Sequence, residues 1–201
     1  MDALASTRTA EATLLVASLG AAVLTYQSWG IAASLAAAAM VGFVGARRGL
    51  SIPISLAAAS AAGAALVHFA VSPQHFGEWW GFGLFFVLCG EVQLGWALLL
   101  GRRHARRMLA VGIVGSLGLI VVWAVSRVTG LPFGPEPGVP EVVGVPDVVS
   151  GVLELVTAGA CAWALFVPAR LRVARSLYVR AVGLAGAVAL TAWALASVSA
   201  T

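Results

Sequence analysis

Two histidines and a carboxylate stand close together in an otherwise apolar stretch: His68, His75 and Glu78. A second pair of acids, Asp147 and Glu154, follows at the spacing i, i+7. On a helix that spacing puts both carboxyls on one face, about 10 Å apart along the axis. Imidazoles with nearby carboxylates can ligate zinc, iron, manganese or copper, and the same groups can exchange protons. His68, His75, Glu78, Asp147 and Glu154 are therefore the candidate ligands of a divalent metal ion, or the groups of a proton site. His-x6-His-x2-Glu is not a standard metal signature, and each residue also has a structural reading. His68 suits a core histidine bonded to a backbone carbonyl. Glu78 suits a carboxylate opening a helix, where the macrodipole favours it. Asp147 and Glu154 suit an ion pair with Arg127, and Glu141 belongs to the same neighbourhood. Glu91 and Gln93 lie deeper in the following apolar stretch, where they serve either as a proton-relay carboxyl with its partner or as hydrogen-bond glue between helices. Glue is slightly favoured.

The elements that must position these residues are membrane spans. Of the 201 residues 61% are hydrophobic and 10% charged, and the mean hydropathy is +0.99. A soluble domain carries about 25% charged residues. The apolar stretches run the length of the chain and predict an all-α, polytopic membrane helix bundle. Seven transmembrane helices are expected, at about 11–27, 30–46, 51–71, 78–100, 108–128, 146–167 and 176–198, each close to the length that crosses about 30 Å of hydrocarbon. Six are possible if the first two, separated only by Ser28–Trp29, form one interrupted segment. The whole chain, 1–201, reads as a single integral membrane domain. The leader Met1–Glu11 sets Asp2 and Glu11 against Arg8, a poor signal-peptide start, so the first run is expected to be retained.

All of the positive charge is arginine, and it is clustered. Arg47 and Arg48 share one short loop; Arg102, Arg103, Arg106 and Arg107 a second; Arg170, Arg172 and Arg175 a third. With seven spans these loops fall on one side, which the positive-inside rule makes cytoplasmic. The N-terminus is then cytoplasmic and the protein a multi-pass plasma-membrane protein, with the lipid bilayer as its first partner. The net charge of +4 is thus topological, and nucleic-acid binding is not expected, since no basic and aromatic groove could form in such short loops. Cys89 and Cys161 both fall inside spans and read as small core residues rather than a disulfide or zinc framework. Glycines at every third position, such as Gly112, Gly115 and Gly118, allow close helix packing.

The one long connection is residues 129–145, rich in proline and glycine and extracytoplasmic in this topology. Its composition excludes a helix, and its apolar character predicts that it folds back over the outer mouth of the bundle. Pro146 suits the first turn of the next helix, with Asp147 adding negative charge there. His68, His75, Glu78, Arg127, Glu141, Asp147 and Glu154 all converge on this outer half. No Walker A, Gly-x-Ser-x-Gly or His-Glu-x-x-His pattern is present.

His68, His75-Phe76-Gly77-Glu78-Trp79, Gly83, Phe85-Phe86 and Gln93-Leu94-Gly95-Trp96-Ala97 form one string. Trp123, Ser126-Arg127, Thr129-Gly130-Leu131-Pro132, Gly134-Pro135, Glu141, Gly144, Asp147 and Glu154 form another. Over about residues 60–165 they resemble a group of uncharacterised small polytopic membrane proteins of high-GC bacteria. The resemblance implies that both strings belong to one unit; it brings no activity with it.

Three functions fit these residues. In the first, the outward-facing His and carboxylate cluster binds a divalent metal or protons in a transport or binding role, with Glu91 and Gln93 extending the path inward and Arg127 orienting a carboxylate. A transporter this small would be expected to form a homo-oligomer. In the second, a metal held by the same residues activates water or oxygen against a lipid-soluble substrate. In the third, the cluster only ties the loop to the bundle of a structural subunit.

Overall fold

The structure, a computed structural model, describes residues 50–100, 106–167 and 177–198. These form helices α1 (Ile52–Glu78), α2 (Trp80–Leu100), α3 (Arg106–Val128), α4 (Val145–Phe166) and α5 (Leu177–Val198), and the described residues contain no strand. Helices α1 to α4 are each long and apolar enough to cross a membrane, and α5 carries a shorter apolar stretch at Ala185–Val198. The described residues form an all-helical membrane bundle. The spans expected at 11–27 and 30–46, and the arginine loops around 47–48, 102–103 and 170–175, lie outside the described residues.

Helix α1 is the centre of the bundle. Alanines on every side of it, among them Ala57, Ala58, Ala59, Ala61, Ala62 and Ala64, are buried, as a helix apolar all round must be. It packs against α2, α4 and α5, while α3 packs mainly on α4 and barely meets α2. In lipid the hydrophobic effect does not drive helices together, so the contacts rest on close backbone approach at small residues. At Gly63 the Thr191 hydroxyl of α5 occupies the space a Cβ would need. Helix α3 presents Val111, Val114, Leu117, Val121 and Val125 outward, a surface suited to acyl chains.

Two boundaries differ from expectation. The connection expected between the spans at 51–71 and 78–100 is helical, and α1 continues through Pro73 to Glu78. Proline lacks the N–H that would bond the carbonyl four residues back, and here the Ser72 hydroxyl donates to that carbonyl, Phe69 O, at 2.8 Å. The break falls instead at Trp79, which is extended (φ −165°, ψ 135°). Glu78 therefore ends α1 rather than opening the next span, and the macrodipole reading given to it from sequence has the wrong sign at this end.

Between α3 and α4 the chain reverses over residues 129–144. Gly130, Gly134 and Gly138 have φ of 70°, 103° and 77°, a region costly for any residue with a Cβ. The loop folds back: the Glu141 N–H donates to Ser126 O at 3.0 Å, and the Phe133 ring lies 6.4 Å from those of Trp79 and Phe82. Pro146 stands in the first turn of α4 as expected, and the Asp147 carboxylate accepts the Gly144 N–H at 2.7 Å.

Candidate functional site

The candidate residues separate into two groups at different depths. The deeper one joins three helices. His68 on α1 is 6% exposed, and its Nδ1–H donates to Gln93 Oε1 on α2 at 2.9 Å. With Nδ1 protonated, Nε2 of the neutral ring accepts, and the Ser150 hydroxyl of α4 lies 3.2 Å from it. Gln93 then donates through Nε2 to Glu154 Oε1 on α4. The result is one directed chain, Ser150 to His68 to Gln93 to Glu154. Glu154 is 2% exposed, and its second oxygen, Oε2, makes no hydrogen bond. Ser116 of α3 and Cys89 of α2 stand close to this carboxyl.

The shallower group is a clamp on the loop. Arg127 at the end of α3 donates through one terminal nitrogen to Glu141 and through the other to Asp147 Oδ1, the latter at 2.7 Å. It also reaches Ser126 Oγ at 3.1 Å. A guanidinium can serve two carboxylates at once because its donors form a planar fork. Asp147, Glu141 and Arg127 thus fix where the loop enters α4.

The structure does not gather the five proposed metal ligands. His68 and Glu154 share Gln93. Asp147 is engaged by Arg127 and by the Gly144 N–H. Its carboxyl sits two turns from Glu154 along α4, and Arg127 draws it to the loop. His75 bonds the Val71 carbonyl through Nδ1 at 2.9 Å, and Glu78 is exposed at the end of α1. Among the described residues no group of three or more His, Cys, Asp or Glu is placed to hold a metal ion. Glu91 is exposed on α2 and takes no part, whereas Gln93, two residues on, is the link of the deeper group. Both cysteines are free.

Sequence reading missed Phe86 and Ser116. The Phe86 ring centroid lies 4.1 Å from that of His75 and 5.7 Å from that of His68, so it packs against both imidazoles. Its signal was available: Phe86 and Gln93 are spaced i, i+7 on one helix and share a face. Ser116 sits in a glycine-rich run with nothing local to distinguish it. No protein-family model matches this chain, and neither the curated proteins nor the solved structures contain a significant match.

Proposed function

We propose that this chain is a multi-pass plasma-membrane protein, N-terminus cytoplasmic, that binds and exchanges protons at the His68–Gln93–Glu154 group in a transport or binding role. The observation that carries the reading is the buried hydrogen-bonded chain itself. Ionisable groups inside a membrane are costly and are placed there for function by default. Here two of them, an imidazole and a carboxyl, are held by a single amide that contacts both.

The chemistry follows from the donors and acceptors. His68 Nε2 is the ring position that can take up a proton, with the Ser150 hydroxyl turning from donor to acceptor. Gln93 Oε1 keeps accepting from Nδ1 and stabilises the resulting cation. The Glu154 carboxylate, one amide away, supplies the compensating charge. Proton uptake at His68 is thereby coupled to the state of Glu154, and the pair titrates as a unit.

Infrared difference spectra of the protein in lipid nanodiscs, recorded across pH, test this. The expected result is a carboxyl C=O band that titrates, that vanishes in Glu154→Gln and that shifts in His68→Ala. A spectrum unaffected by either substitution sinks the proposal. Elemental analysis of the purified protein beside a His68→Ala/His75→Ala variant addresses the metal-binding alternative. Near-stoichiometric metal, lost in the double variant, would replace the proton reading with that one.

A further inference from the structure

We infer that this group is open to protons from one side only: it communicates with the loop end of the bundle, through His75 and across Phe86, and is sealed toward the opposite end. The inference rests on the proton-binding reading above and specifies its access route.

His75 lies two turns beyond His68 on α1, about 10 Å closer to the loop, and is half-buried at the bundle's edge. Its Nδ1 is committed to the Val71 carbonyl, which leaves Nε2 as its exchangeable position. The Phe86 ring of α2 lies against both imidazoles, its centroid 4.1 Å from that of His75 and 5.7 Å from that of His68. A ring with two-fold side-chain freedom is a barrier that can swing and then restore itself. The other titratable groups around the chain are Cys89 on α2, beside Glu154, Asp147, about two turns from Glu154 toward the loop on α4, and Arg127, about three turns from Ser116 toward the loop on α3. Helix α5 contributes Thr191, whose hydroxyl is committed to Ala187 O at 2.8 Å.

Among the described residues, the opposite end is closed by apolar packing. Leu94, Trp96, Ala97, Leu100, Leu109 and Cys161 belong to one buried cluster, and the Trp96 indole is pinned by its N–H to Met108 O at 3.0 Å. Beyond Glu154 toward that end, the side chains that follow on α4, Ala158, Ala160, Cys161 and Ala164, are buried and, apart from the thiol, apolar. A proton-binding group with one entrance reports the proton concentration on that side, whereas a conducting path needs two.

The test is the rate at which the Glu154 carboxyl band shifts after a rapid change from H2O to D2O, followed by stopped-flow infrared spectroscopy on the full chain in nanodiscs. Phe86→Ala should accelerate the shift about tenfold or more, and Phe86→Leu, which keeps most of the packing, should accelerate it less. His75→Ala should slow it about a hundredfold or more, the low end of what a positioned proton-transfer group contributes. Trp96→Phe and Ser60→Ala, at the sealed end, should leave it unchanged. Unaltered rates in both the Phe86 and His75 variants, or acceleration by Trp96→Phe, would overturn one-sided access. If the band itself survives Glu154→Gln, the proton-binding reading has failed instead, and the two failures are told apart by that control.

Discussion

Gln93 is the residue on which the buried group depends. Both ends of its amide are used, one as acceptor from His68 and one as donor to Glu154. Replacing it by leucine leaves an imidazole N–H and a carboxyl oxygen buried without partners, and each such group costs about 1–3 kcal/mol. Gln93→Leu should therefore lower unfolding stability by about 2–4 kcal/mol, read from thermal or denaturant unfolding in detergent. A loss below about 0.5 kcal/mol would show that the chain is not formed. Arg127 is the matching residue of the clamp. Its partners are partly exposed, with side-chain exposures of 38% for Glu141 and 24% for Asp147, so solvent screening reduces the pair below the fully buried case. Arg127→Met should cost about 1–2 kcal/mol and make the loop at 129–144 cleavable by protease, while leaving the Glu154 infrared band in place.

Among the elements, α1 shows how a local rule is overridden. Pro73 with its Ser-Pro-Gln neighbours reads as a turn, with His68 on the span before it and His75 within it. The helix runs on because the carbonyl that Pro73 leaves open is bonded by the Ser72 hydroxyl. A double-variant cycle checks that account. Ser72→Ala alone should cost about 1 kcal/mol, and the cost should disappear when Pro73→Ala restores the N–H, a coupling of similar size. Additive effects would mean that the hydroxyl is not serving that carbonyl. The reversal of Glu78 from helix start to helix end has the same origin, since moving the break from residue 72 to Trp79 moves every assignment next to it. By contrast, the start of α4, expected at 146 and found at Val145, was legible to within one residue, because Pro146 and Asp147 carry backbone and charge preferences that act within one turn.

At the scale of the whole molecule, helix type and membrane character could be read from composition and apolar run length, because both follow from the solvent the chain must face. Which polar groups meet could not. His68, Gln93 and Glu154 are brought together by the packing of α2 and α4 on α1, and that packing is set by small residues that sequence period does not single out: of Gly112, Gly115 and Gly118, only Gly112 closely meets side chains of other described helices. Gly63 is another such residue. Gly63→Leu should force α5 away from α1 and destabilise the bundle by about 1–3 kcal/mol, a loss measurable by unfolding; retention of wild-type stability would show that α5 is not seated there.

The single extended residue between α1 and α2 also bears on how the chain enters a bilayer. With only Trp79 between them, the two helices are delivered to the membrane as one hairpin. His68 and Gln93 sit on opposite arms of it. The imidazole thus arrives with its hydrogen-bond partner attached, and the cost of carrying it into hydrocarbon is reduced before any later helix is made. Glu154, synthesised two helices afterwards, meets an amide already aimed at the place where its carboxyl will lie.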